Sequence, residues 1–311
     1  MSSLQKAAQT ALKVCMGLKQ NEKILIIYDT KKRILANVLA KEAKKVKLLK
    51  IPESKVHGQE PSKKTANEML KHDVIMMVTS KSLSHTDARR KASKKGVRIA
   101  SMPGITKDMF LRTMKADYNK IEERTNKISE LLTKGKKVKL TTKKGTNIIM
   151  NIKGRRAEKG ALIRKKGNFK NLPSGEACLG PLEGTTNGIF VVDCCFFEKV
   201  DKPIKVTVKN GYATEIKGGK SAKKLIKMLE SINHKDAYAI AELGIGTNDK
   251  AKITGNLLED EKVFGTAHIA LGNNISYGGK INVPIHLDGV FNKPTIFIDN
   301  KKIMDNGKLI I

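Results

Sequence analysis

The first hundred residues alternate between short apolar runs and stretches of helical periodicity, and that alternation constrains the fold more than any other feature of the chain. NEKILIIYD, VKLLKIP, DVIMMVTS and VRIASMP read as strands, and TKKRILANVLAKEAKK, SKKTANEMLKH and HTDARRKASKKG between them read as helices. Strands separated by helices of roughly 10 to 15 residues build βαβ units, and therefore a parallel sheet. The expectation is a Rossmann-like α/β domain over residues 1–115. Its first strand runs into Tyr28-Asp29-Thr30 with no Gly-x-Gly-x-x-Gly, and the chain carries no Walker-type phosphate loop. Both absences disfavour a NAD enzyme or an NTPase.

The pattern then changes. MFLRTMKADYNKIEERTNKISELLTKG is helical, with a break near Lys115 and a stop at Gly135, so residues 116–135 read as a helical connector. From Lys137 onward, KVKLTTKKGTNIIMNIKGRRA reads as a hairpin. GIFVVDCCFFEKV, PIKVTVKNGYATEIKG and KPTIFIDNKKIMDNGKLII read as further strands punctuated by Gly and Asn turns. SAKKLIKMLESIN is one clear helix. Residues 136–311 are therefore expected to form an α+β, largely antiparallel domain, the one that binds metal and carries the catalysis.

Composition narrows the function. A chain of 311 residues is long enough for about two domains. No run approaches the roughly 20 apolar residues that span a bilayer. The N-terminus reads as an amphipathic helix without a small-residue cleavage site, so a cytoplasmic protein is expected. Cys15, Cys178, Cys194 and Cys195 contain no C-x-x-C pair and read as buried thiols, with the adjacent pair on opposite faces of a strand. The net charge of +31 is uneven: residues 1–164 hold 40 basic side chains against 14 acids, residues 165–311 only 21 against 16. The excess is lysine, 52 against 9 arginines, and aromatic stacking residues are scarce. Arginine is the better fork for phosphate and guanine, so a solvated lysine surface is favoured over a nucleic-acid face.

Chemistry-bearing residues gather late in the chain. In GTAHIALGNNISYGGKINVPIHLDGVF, His286 and Asp288 are two apart, so in a strand both side chains leave one face, with His268 available from a neighbouring segment. NLPSGEACLGPLEG adds Glu176, and AYAIAELGIGTN ends an apolar run on Glu242, whose carboxylate needs a partner if buried. Together these donors are the ligand set of a zinc, cobalt or iron site. Glu259, Asp260 and Glu261 read as a solvated helix end. His57, His72, His85 and His234 read as structural, and Tyr277 alone could be a loop aromatic.

The segments NLPSGE, AELGIGTN, EDEKVFGTAHIALGNN and HLDG, in this order and spacing, resemble the aminopeptidase T family of metallo-aminopeptidases. TSKSLSHTDARRKASKKGVRIASMPGIT resembles the corresponding N-terminal part, so the likeness covers most of the chain. It implies a Rossmann-like domain followed by a domain holding two divalent ions, zinc or cobalt with manganese as a further candidate, in a homodimer acting on peptides. Glu176, Glu242, His268, His286 and Asp288 would then be metal ligands. Tyr277 would be the active-site tyrosine, donating to a tetrahedral oxyanion while a metal-activated water attacks. The sequence departs from the family in a shorter loop between His268 and His286, in His286-Leu287-Asp288 where the family has an aromatic at the middle position, and in overall length.

Two other readings compete. A non-haem iron dioxygenase acting on dihydroxypyridine belongs to the same broader fold group, and His268, His286 and Asp288 alone satisfy the two-histidine, one-carboxylate pattern of such sites. Glu176 and Glu242 discriminate: if both touch metal, a dinuclear hydrolase is favoured; a lone ion on the triad favours oxygen chemistry. The presence of both glutamates favours the peptidase. The third reading is a basic RNA- or polyanion-binding protein with a non-catalytic metal site, and it predicts binding that weakens steeply with salt.

Overall fold

A computed structural model describes residues 2–311. The chain divides into two compact units, one comprising the residues up to Asn119 together with Ala161–Ser174, the other Lys120–Gly160 with Gly175–Ile311.

The first unit runs α1 (Ser3–Gln9), β1 (Lys23–Tyr28), α2 (Arg33–Lys41), β2 (Lys45–Lys50), α3 (Lys63–Met69), β3 (Val74–Val78), α4 (Asp87–Lys94), β4 (Arg98–Ser101) and α5 (Lys107–Thr113). All its strands pair in parallel, in the order β2-β1-β3-β4. A fifth parallel strand, Phe169–Asn171, joins the β4 edge when the chain returns. Every residue of β3 is buried, which is why VIMMV shows no alternation: both faces of a central parallel strand are covered. Leu25, Ile27, Ile75, Met77 and Ile99 fill one layer of the core, each worth roughly 1.5–3 kcal/mol on burial. β2, KVKLLK, lies at the sheet edge and shows solvent its lysines, which discourages pairing with another chain. Arg98, 7 % exposed at the start of β4, makes a bidentate pair with Glu22 at 3.0 and 2.7 Å.

The break expected near Lys115 falls between α5 and α6 (Tyr118–Lys134). In the second unit β5 (Lys137–Thr141) and β6 (Asn147–Asn151) form the expected hairpin. The returning strand Phe169–Asn171 counts as β7. There follow β8 (Glu176–Leu179), β9 (Asn187–Val192), β10 (Ile204–Lys209), β11 (Tyr212–Lys217), α7 (Lys220–Glu230), β12 (Ile240–Gly246), α8 (Leu257–Asp260), β13 (Thr266–Gly272), β14 (His286–Asn292), β15 (Thr295–Ile298), β16 (Lys301–Asp305) and β17 (Lys308–Leu309). They form an eight-stranded antiparallel sheet, β11-β10-β9-β6-β5-β15-β16-β17, and a four-stranded one, β14-β13-β12-β8. An α/β part with a parallel sheet and an α+β, largely antiparallel part is the fold class expected from the sequence. β9 stops at Val192, so Cys194 and Cys195 lie beyond it; all four cysteines are free and buried. Among the described residues no helix is long and apolar enough to cross a membrane.

Candidate metal centre

The smaller sheet is a two-sided device. Its register sets Gly244 opposite both Cys178 and His268, Ala270 opposite both Glu242 and Asp288, Gly272 opposite His286, and Gly246 opposite Glu176. Residues paired across strands share a face, so Glu176, Glu242, His268, His286 and Asp288 all leave the same side. Leu179, Leu243, Ile245, Ile269, Leu271 and Phe291 leave the other and enter the main core of the unit. Gly244, Gly246, Ala270 and Gly272 lie among them on the polar side, leaving room for the larger donors. A Cβ on Gly244 would lie 2.0 Å from His268 Nε2, so only glycine lets the imidazole lie across β12.

The donors converge. His286 Nε2 lies 3.0 Å from Glu242 Oε2 and 3.4 Å from Asp288 Oδ1. His268 Nε2 lies 3.6 Å from Glu242 Oε1 and 3.5 Å from Glu176 Oε2, ion-pair rather than hydrogen-bond distances. Glu242, His268 and Asp288 each offer an atom within 4.8 Å of the others, and Glu176, Glu261 and His268 form a second such group. His286 Nδ1 is 2.7 Å from the Asn273 carbonyl. A carbonyl only accepts, so Nδ1 carries a proton, and Nε2 is the nitrogen turned toward the carboxylates.

Electrostatics in this cluster are unusual for their burial. Glu242 is 2 % exposed, Asp288 6 % and His268 fully buried. Burial pushes the Glu242 carboxyl up, but the adjoining His268 and His286 imidazoles outweigh it and hold the group below the ordinary carboxylate range. Burial likewise raises Asp288, and His286 more than offsets it. For His268 burial disfavours the charge, yet Glu242, Asp288 and Glu176 push it up to about 9. Neither ring nitrogen of His268 nor Asp288 Oδ1 has a hydrogen-bond partner among the described residues. Buried polar atoms left this way are costly unless something else binds them. Imidazole nitrogens and carboxylate oxygens are the donors of a divalent transition-metal ion, so the residues fit a metal.

Two neighbours in this cluster escaped the sequence. Glu259, Asp260 and Glu261 are buried, not a solvated helix end. Glu259 accepts from the Lys252 amide, and Asp260 accepts from the amides of Thr254 and Gly255, so both fold the preceding loop. Glu261 enters the site instead, where burial above all pushes it up to about 8 against the pull of Lys262. Lys262 is 1 % exposed, 2.8 Å from Glu176 Oε1 and in close contact with Glu261. Burial opposes its charge, but Glu176 and Glu261 outweigh that and hold it above the ordinary lysine range. In a chain with dozens of lysines, a charged EDEK run carries no signal of burial.

Tyr277 sits on the loop between β13 and β14. Its ring stacks on His286 at 5.0 Å between centroids and 17° between planes, and burial with the nearby Glu242 and Asp288 pushes its phenol up, keeping it a donor. Glu183 anchors that loop, accepting from Asn274 Nδ2 at 3.0 Å and the Lys280 amide at 2.9 Å, while Arg155 pairs with its other oxygen. Gly278, at φ 85°, makes the turn. Of the remaining histidines, His57, His72 and His234 make local contacts with backbone groups.

Fold and donor set define a two-part α/β protein with a cluster of residues that could hold a metal ion on one face of an antiparallel sheet. The chain belongs to the NicX family, 2,5-dihydroxypyridine 5,6-dioxygenase, whose model matches residues 3–311. A stretch of 158 residues is 26 % identical to the 2,5-dihydroxypyridine 5,6-dioxygenase of Pseudomonas putida; it covers 46 % of this chain and 45 %, about half, of that enzyme. The solved structure of 2,5-dihydroxypyridine dioxygenase from Pseudomonas putida superposes with a TM-score of 0.84 at 18 % identity, over 100 % of this chain and 98 % of that one. Wild-type AmpT from Thermus thermophilus superposes with a TM-score of 0.73 at 14 % identity, over 99 % of each chain. At such identities both superpositions speak for the fold alone.

These findings overturn the resemblance to the aminopeptidase T family, and with it the metallo-aminopeptidase, hydrolase and protease reading. The family match is to the dioxygenases, while AmpT shares the architecture. The physical reason is that the glutamate, histidine and His-x-Asp motifs report which residues leave one face of this sheet. They do not report which reaction is run there.

Proposed function

We propose that the chain is a mononuclear metal-dependent dioxygenase that opens the ring of a hydroxylated pyridine. The observation that carries it is the grouping of His268, Asp288 and Glu242, with His286 3.0 Å from Glu242 and 3.4 Å from Asp288, on one sheet face in a chain of the 2,5-dihydroxypyridine 5,6-dioxygenase family. Two histidines and a carboxylate with positions left open are the ligand pattern of non-haem iron(II) oxygenases, so iron(II) is the ion this reading assigns. Bound there, it would supply electron exchange with dioxygen and the electron-rich ring.

The protein's own contribution is orientation and charge. Asn273 fixes the His286 tautomer, and Gly244 admits the His268 ring. Glu176 and Glu261 differ from Glu242 and Asp288 because Lys262 already engages both, which favours one ion over two. Tyr277, protonated and stacked on His286, is placed to donate a hydrogen bond to a ring substituent oxygen of the substrate.

The test is anaerobic loading with iron(II), followed by addition of 2,5-dihydroxypyridine and oxygen. Loss of the aromatic absorbance with one oxygen consumed per ring supports the reading. An iron-loaded protein that consumes no oxygen with this substrate and leaves the ring intact contradicts it.

A further inference from the structure

Two potential metal-binding groups lie side by side in this cluster and share His268: Glu242, His268 and Asp288, and Glu176, Glu261 and His268. Neighbouring groups with a common ligand are the layout of a two-metal centre. The second group, however, already contains a cation. Lys262 lies 2.8 Å from Glu176 Oε1 and contacts Glu261 more closely still, with its side chain 1 % exposed.

We infer that Lys262 is the built-in cation of this second group, occupying the place between Glu176 and Glu261 that another metal ion would take, and so limiting the chain to one divalent ion. The inference rests on the proposed single-ion reading of His268, His286 and Asp288. Its physical basis is charge. Four buried or half-buried carboxylates, Glu176, Glu242, Glu261 and Asp288, crowd this face, and an acidic cluster of that size needs positive charge to remain ionised. The ammonium supplies one unit permanently and donates to both carboxylates. A divalent ion brought between them would meet a like charge at contact distance in a medium that screens it poorly. Lysine is among the residues least often buried without a partner. Here the partners are two acids that the proposed ion does not need.

The experiment is a stoichiometry measurement with manganese(II) alone, by elemental analysis after gel filtration and by titration. The wild-type chain is expected to take one ion, and Lys262→Arg one as well. Lys262→Gln is expected to take two, the second at least about a hundredfold tighter than any second ion in the wild type. Lys262→Gln combined with Glu176→Gln should return to one. A wild-type chain that takes two ions overturns the inference, as does a Lys262→Gln chain of native circular dichroism that takes only one. Should Lys262→Gln fail to fold, crystals of the wild type soaked in manganese(II) decide by anomalous scattering: density between Glu176 and Glu261 overturns the inference, and a single peak at His268 and Asp288 supports it. One bound ion without ring cleavage would count against the proposed function and leave this inference standing. Two bound ions with ring cleavage would overturn this inference and the single-ion count while leaving the dioxygenase reaction standing.

Discussion

Gly244 and His268 face each other on adjacent strands so closely that a methyl group on the first would lie 2.0 Å from Nε2 of the second. The imidazole can be where it is only because β12 has no side chain beneath it. Gly244→Ala should therefore displace His268 and weaken metal binding by at least about tenfold, the scale on which supporting groups act at metal sites. Competition titration of the folded variant checks this; unchanged affinity would mean that His268 is not held by that gap.

Removing the metal should destabilise the protein, because the ion would bind buried atoms of His268 and Asp288 that lack hydrogen-bond partners among the described residues. A ligand present at about a hundred times its Kd adds roughly 2.7 kcal/mol, or several degrees of Tm for a unit of this size. Adding chelator should lower the Tm of the wild type accordingly. Asp288→Asn, with one anionic donor neutralised, should show little response to metal in the same scan.

Tyr277→Phe keeps the ring that stacks on His286 and deletes only the phenol. Metal content should stay at the wild-type value while kcat for ring cleavage falls by about tenfold or more, the range for loss of one well-placed donor. Equal loss of metal would show that the tyrosine acts through His286 instead.

In the first unit, acid should act through Glu22. Burial raises its carboxyl, but the hydrogen bonds and charge of Arg98 win and hold it below the ordinary value. A depressed carboxyl contributes stability that is complete above the unfolded value, near pH 4.5, and is lost as the pH falls through the folded value. Glu22→Gln should flatten that part of the acid-unfolding profile. Glu22→Ala should cost about 2–3 kcal/mol by denaturant titration at neutral pH, less than for a fully enclosed pair because Glu22 keeps contact with solvent.

How much of this was legible in the sequence differs between the sheet and what lies against it. The strand–helix alternation announced the parallel sheet because hydrophobic period follows directly from local geometry. The pairing of His286 with Asp288 was legible for the same reason: two residues apart in a strand is one face. Lys262 and Glu261 were not, since EDEK has the composition of a solvated surface and only long-range packing buries it. The reaction was not legible either, because histidines and carboxylates gathered on one sheet face do not say which reaction is run there.

The alternation that puts donors on one side of β12, β13 and β14 and core residues on the other has a consequence for change within this architecture. Inserting or deleting one residue in any of those strands would send a histidine or carboxylate into the apolar layer and a core residue into the polar cluster together. The strands are thereby frozen in length. Changes of length are left to the connections, such as residues 273–285 that bring Tyr277 over His286, while the sheet beneath must keep its register.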